Sequence, residues 1–204
     1  MGLNYSGVHA YTAERDAIVA LLAEALAPGG YRCRQGEPLP PGTPINRFLL
    51  SPPLGGWVTM LPSNDLEGRE FAWAETLSQL GCPVLWLYLY ESELVMYRLY
   101  RQGQLVDRYS SASADRLPLG NPRVFRPLLV EGATVEDLDR ALRPGPGEAL
   151  SAEERYFAIA RLLGIQTAET SYPLAVNDPT TLVGGADAWL SVEFWYAGEP
   201  PAAS

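Results

Sequence analysis

Tyrosine and arginine side chains are concentrated between residues 97 and 126 of the chain. Arginine binds carboxylates and phosphates through a fork of N–H donors and also stacks on aromatic rings. Tyrosine and arginine are among the residue types most enriched at the energetic centres of protein interfaces. We therefore predict an interaction surface in this stretch, composed of Tyr97, Arg98, Tyr100, Arg101, Arg108 and Tyr109.

Two other interpretations of this stretch remain open. In one, the tyrosine rings line the core, while the guanidinium groups of the arginines reach solvent or pair with acidic helices. In the other, the aromatic and basic strands form a platform for single-stranded nucleic acid. The net charge of −9 and the pI near 4.6 argue against that partner, because phosphate backbones are bound through excess positive charge. We therefore expect no nucleic-acid binding.

The charge is unevenly distributed along the chain. Residues 94–130 contain six Arg and two Asp, a local balance of +4, whereas the remainder carries −13. Because opposite charges attract, we expect the basic segment to contact something acidic. The candidates are a separate acidic protein and a second copy of this chain, and either contact should weaken as salt rises.

Several kinds of chemistry are excluded by composition. All fifteen basic residues are Arg, so no Schiff-base or phosphate-loop lysine exists. His9 is the only histidine, and we expect it to lie in a loose N-terminal segment. Cys33 and Cys82 are far apart in sequence and should be reduced thiols in a cytosolic protein. We predict no metal site, no disulfide and no cofactor.

Paired carboxylates are the remaining catalytic candidates. Glu91 and Glu93 flank a short turn, and two acids with different pKa values could act as general acid and general base. An exposed turn leaves both solvated, so a charged turn is the simpler interpretation, and we assign no catalytic residue. The alternative hypothesis is an enzyme that uses carboxylate, Tyr and Arg side chains.

The strands that position the tyrosines and arginines are predicted by alternation. Residues 84–90 place three leucines on one face and three aromatic side chains on the other, and residues 94–100 and 105–109 follow after short turns. Turns this short join antiparallel strands, so residues 84–109 should form a three-stranded meander. We expect the leucine side to pack against a helix at residues 71–80.

The remaining elements indicate an α+β fold. Apolar spacing predicts helices after Thr12 and around residues 66–80, and Thr134 and Ser151 begin two capping boxes. Further strands are expected at residues 46–50, 57–61 and 189–196. Strands grouped in a run favour a mainly antiparallel sheet packed against helices. We predict one domain over residues 1–198 and a flexible tail over residues 199–204.

The meander also resembles a hairpin found in a family of uncharacterised bacterial proteins. The resemblance is carried by a helix ending in L-G-C-P-V, a Y-E-S-E turn and the run M-Y-R-L-Y-R-Q-G-Q-L-V-D-R-Y-S-S. It covers about residues 66–112, with a fainter similarity at residues 152–164, and it supplies no site residues. It implies a bacterial, cytosolic protein.

The sequence shows no export signal and no apolar run long enough to cross a membrane, so we expect a cytoplasmic protein without a membrane partner. The scarcity of catalytic residue types favours a non-catalytic binding or interaction protein. A regulator, or an immunity-type partner of another bacterial protein, would fit this description.

Overall fold

Eight strands form the scaffold of the protein. The computed structural model describes residues 2–34, 42–63, 70–112, 120–145, 147–169 and 171–197. The strands are β1 Tyr5–Tyr11, β2 Tyr31–Cys33, β3 Ile45–Leu50, β4 Trp57–Pro62, β5 Val84–Tyr90, β6 Leu94–Arg101, β7 Gln104–Ser110 and β8 Leu190–Tyr196. They pair into one antiparallel sheet with the order β2-β8-β3-β4-β1-β5-β6-β7.

Helices cover both sides of this sheet, and the fold is therefore α+β, as predicted. The α-helices are α1 Arg15–Leu26, α2 Glu70–Leu77, α3 Val135–Leu142, α4 Ala152–Leu162 and α5 Tyr172–Asn177. A longer 3-10 helix, which we call the 3-10 helix, spans Pro122–Leu128, and short 3-10 turns occur at Ala27–Gly29, Ser78–Leu80, Pro179–Thr181 and Ala186–Ala188. Both predicted capping boxes are present, because Thr134 and Ser151 each exchange hydrogen bonds with the acidic residue three positions later.

The three-stranded meander is confirmed. Strands β5, β6 and β7 pair in succession; residues 91–93 connect β5 to β6, and residues 102–103 connect β6 to β7. Glu91 and Ser92 have φ values of +48° and +59°, and Gln102 and Gly103 have φ values of +51° and +73°. Positive φ at both turn residues is typical of the tight hairpin turns whose twist matches that of the flanking strands.

The two faces of β5 pack against different helices. Leu85, Leu87 and Leu89 are fully buried on what we call the leucine face, which packs against α3, α4 and the 3-10 helix. Trp86 and Tyr88 lie on the opposite side, the tryptophan face, which packs against α1 and α2. The prediction that the helix at residues 71–80 covers the leucines is therefore wrong: Phe71 of α2 instead contacts Trp86, with ring centroids 6.0 Å apart.

His9 lies in the centre of the sheet, which corrects the expectation of a loose N-terminal segment. It belongs to β1, which pairs with β4 on one side and β5 on the other, and its side chain is 1% exposed. This N-terminal segment is held in place because the backbone of β1 is hydrogen-bonded to a neighbouring strand along both of its edges.

Among the helices of the described residues, none is both long and apolar enough to span a membrane. The predicted tail at residues 199–204 lies outside the described residues. The extent of the domain stays a prediction.

Candidate functional site

Two of the predicted surface tyrosines are core residues, which corrects their assignment to an interaction surface. Tyr97 and Tyr109 lie opposite each other on β6 and β7, stack with centroids 5.5 Å apart and are 1% and 4% exposed. Both side chains project from the leucine face into the cluster formed with α3 and α4. A partner protein therefore has no access to these rings.

The hydroxyl groups of these tyrosines are also used internally. Tyr97 donates to a carboxylate oxygen of Asp107 at 2.7 Å, and burial together with this carboxylate raises the pKa of Tyr97 far above its usual value. Tyr109 donates to the carbonyl oxygen of Leu142 at 2.9 Å and accepts from Arg155 at 2.6 Å. These bonds connect the meander to α3 and α4, and their role is structural.

Tyr100 is likewise not part of an open surface, whereas Arg101 is half-buried. Tyr100 is 3% exposed and belongs to the core beneath the tryptophan face. Arg101 donates from Nη2 to the carbonyl oxygen of Val124 at 3.2 Å, which attaches the end of β6 to the 3-10 helix. The assignment of Tyr100 to the interaction surface is corrected accordingly, and that of Arg101 stays a prediction.

Arg98 and Arg108 are the two predicted residues that the structure brings together on an accessible surface. They are direct cross-strand partners on β6 and β7, and both project from the tryptophan face. The guanidinium of Arg98 lies 4.0 Å from the ring centroid of Phe71 and 5.9 Å from that of Trp86. Stacking holds the guanidinium plane in place while its N–H edges stay available for an anion. Arg108 is exposed.

The proximity of these two cations is electrostatically unfavourable. Like charges directly opposite each other on neighbouring strands destabilise a sheet. Among the described residues neither Arg98 nor Arg108 forms an ion pair with an acid. An anion placed between or beside them would relieve the repulsion, and the surface is therefore suited to an acidic ligand.

Arg98 and Arg108 line a groove of about 290 Å³ with largely apolar walls. We call it the arginine groove. Its lining also includes the apolar and aromatic residues Phe71, Trp86, Tyr88 and Met96, together with Glu70, Tyr97, Tyr109 and Ser110. An adjoining cleft of about 560 Å³, the tyrosine cleft, is lined by residues that include Tyr5, Tyr88, Tyr90 and Tyr172. Glu70 and Tyr88 line both spaces, so together they form one long depression beside the first turn of α2.

The acids around this depression do not form a general acid–base pair. Glu70 is the one carboxylate among the described lining residues, whereas Glu91 and Glu93 remain exposed in the β5–β6 turn and line neither space. Within the part of the chain that the structure describes, no three His, Cys, Asp or Glu side chains are grouped to hold a metal ion. The arrangement is suited to binding anions.

The only histidine belongs to a buried polar network on the opposite face. Its Nδ1 lies 2.8 Å from the hydroxyl of Thr59, which lies 2.5 Å from the hydroxyl of Thr167. Burial lowers the pKa of His9 to about 3, so its imidazole is neutral at physiological pH. Nε2 is buried without a partner among the described residues. His9 lines neither the arginine groove nor the tyrosine cleft.

Phe71 and Trp86, which form walls of the arginine groove, are not among the predicted site residues. A signal for Trp86 was available, because Trp86 and Arg98 are direct cross-strand partners in the predicted meander, and opposite residues project from the same face. Alternation along β6 likewise shows that Tyr97 and Arg98, adjacent in sequence, lie on opposite faces.

Comparisons of the chain with protein-family models, with curated proteins and with solved structures found no match. The resemblance of residues 66–112 to a bacterial family stays a prediction.

Proposed function

We propose that this chain is a non-catalytic binding protein that recognises an acidic segment of another protein at the arginine groove. The observation that carries the proposal is the cross-strand pair of Arg98 and Arg108, two cations without an ion-pair partner among the described residues. Their aromatic wall adds apolar area to the contact, and a combination of Arg and aromatic rings is typical of interface centres.

The alternative of an enzyme using carboxylate, Tyr and Arg side chains is favoured by one observation, the position of Glu70 between the arginine groove and the tyrosine cleft. A single carboxylate is a weaker basis for acid–base chemistry than two acids in different environments. A cytoplasmic location and a bacterial source remain part of the proposal, with the immunity-type or regulatory role that they suggest.

Binding of an acidic peptide tests the proposal. The probe is a fluorescent peptide of about ten residues with Glu and Thr in alternation, and its control has Gln in place of every Glu. Fluorescence anisotropy at low salt should show binding of the Glu peptide only. The double variant Arg98→Glu/Arg108→Glu should weaken that binding at least about tenfold, since repulsion replaces attraction.

Arg126→Glu provides the matched control. Arg126 belongs to the same basic segment but is exposed on the 3-10 helix, away from the groove. This change alters the net charge in the same direction, so it separates a local contact from a general effect of charge. Equal binding of the Glu and Gln peptides, or an equal loss per charge with Arg126→Glu, would refute the proposal. If single-stranded DNA binds more tightly than the Glu peptide and in a salt-dependent manner, the ligand is a nucleic acid and not an acidic protein.

A further inference from the structure

Among the strands that the structure describes, β7 is the outer edge of the sheet, and it lies next to the arginine groove. The strand order ends at β7, and Leu105, Val106 and Arg108 on this strand are exposed. An edge strand carries backbone N–H and C=O groups that no neighbouring strand satisfies, and an extended segment of another chain can pair with them.

The direction of these backbone groups follows from the pairing with β6. The N–H of Ser111 donates to the carbonyl oxygen of Val95 at 2.9 Å, and the N–H of Val95 donates to the Ser111 hydroxyl at 3.0 Å, so the backbone groups of these opposite residues point toward each other. Hydrogen-bonded and non-bonded pairs alternate along an antiparallel ladder. Arg98 and Arg108 lie three pairs further along and form a non-bonded pair, and the N–H and C=O of Arg108 therefore point away from β6, toward the free edge.

A bulge confines the regular edge to a short stretch. Asp107 pairs with Leu99 and Leu105 pairs with Tyr100, which leaves Val106 as an extra residue on β7. Residues 107–110 stay in register, and within them Arg108 and Ser110 direct their backbone groups outward. No backbone hydrogen bond to these outward groups occurs among the described residues.

We infer that the acidic segment binds as an added strand on β7, an inference that rests on the function proposed above. The partner residue opposite Arg108 would exchange backbone hydrogen bonds with it, and its side chain would project from the tryptophan face beside the Arg108 guanidinium. If that residue is Asp or Glu, one residue supplies both the backbone pairing and the ion pair. The occupant is therefore an extended segment with an acidic residue opposite Arg108.

A second copy of this chain does not provide such a strand at this edge. The one acid in β7 is Asp107, whose carboxylate accepts from Tyr97 and from the N–H of Asn121 on the leucine face. Antiparallel pairing of two β7 strands about a twofold axis keeps each face continuous, so Asp107 never lies opposite Arg108. In every register of such a pair, the residue opposite Arg108 is uncharged or is the Arg108 of the second copy. Charge complementarity therefore favours a different protein as the partner.

N-methylation of the peptide backbone tests the binding mode. Methylation of the Glu nitrogens removes donors that point toward β7, and it should weaken binding at least about tenfold, the equivalent of roughly 1.4 kcal/mol. Methylation of the Thr nitrogens alters donors that point away from β7, and affinity should change less than about threefold. Hydrogen exchange gives a second measurement, in which binding should protect the amides of Arg108 and Ser110.

The outcomes separate this inference from the proposed function. If the two methylated peptides bind equally, or Arg108 gains no protection, strand addition is wrong. Loss of binding in Arg98→Glu/Arg108→Glu would still support recognition of the acid through side chains alone. If the unmethylated Glu peptide does not bind at all, the proposed function fails and the binding mode with it. Concentration-dependent dimers that resist Arg108→Glu would instead indicate self-association elsewhere on the chain.

Discussion

Protonation of the single histidine should destabilise the protein at mildly acidic pH. His9 is 1% exposed, its Nδ1 is engaged with Thr59, and its Nε2 lacks a described partner. A charged imidazole would lose its hydration in this position, and burial therefore lowers the folded-state pKa to about 3. The perturbation is a decrease in pH from about 7.5 to about 5.5, a range in which the carboxylates change little.

The sign and the size follow from the two pKa values. The unfolded chain takes up a proton near a pKa of about 6.5, whereas the folded chain does not until the pH approaches 3. Stability is therefore fully present above pH 6.5 and falls as the pH decreases below it. Proton linkage gives a loss of about 1.4 kcal/mol between pH 7.5 and 5.5, with a further loss of about 1.4 kcal/mol per unit below.

Urea unfolding followed by the fluorescence of the five tryptophans measures this loss. The control is His9→Gln, which removes the titrating group, so its free energy of unfolding should differ little between the two pH values. NMR gives an independent readout from the folded protein, because a chain with one histidine has one set of imidazole signals. Those signals should not shift between pH 7.5 and 5.5.

A folded-state midpoint near pH 6.5 in the imidazole signals would refute the reasoning. It would show that the ring is hydrated or that its charged form has a partner. A pH dependence of unfolding that is the same in the wild type and His9→Gln would assign the effect to other groups.

Two predictions concern the meander. Leu87→Ala should reduce the free energy of unfolding by about 2–5 kcal/mol, because Leu87 is fully buried. The control Leu105→Ala, at the exposed edge, should cost less than about 1 kcal/mol. Equal losses in urea unfolding would contradict the assignment of Leu87 to the core. Gln102→Asn should stabilise the protein by about 0.5 kcal/mol, because Asn before Gly103 suits a turn with positive φ at both positions; an unchanged or lower melting temperature would count against this account of the turn.

Elements defined by local sequence could be predicted. The meander followed from strand alternation and two very short turns, and the starts of α3 and α4 followed from capping boxes that involve residues three positions apart. Each of these signals lies within a few residues of the structure that it specifies, and no distant partner is needed to read it.

The position of β1 could not be predicted, because it depends on pairing with distant strands. Its sequence contains Gly7, His9 and Ala10 and lacks the alternation of a strand with one solvent-exposed face. Both faces of β1 are covered, so there is no polar face to mark it. The six predicted surface residues could not be sorted into buried and accessible ones for the same reason. Helices cover most of both sides of β6, and composition alone does not distinguish the covered parts from the open part.

The position of β8 in the sheet sets the order in which the protein can assemble. Residues 190–196 insert between β2 and β3, which lie about 150 positions earlier in the chain. During synthesis the meander of β5, β6 and β7 is complete long before β8 leaves the ribosome. Until then β2 and β3 lack the strand that pairs with both of them. Contacts this distant in sequence slow folding and expose unpaired edges. The edges of β2 and β3 are therefore the part that a nascent chain must protect until residues 190–196 have been synthesised.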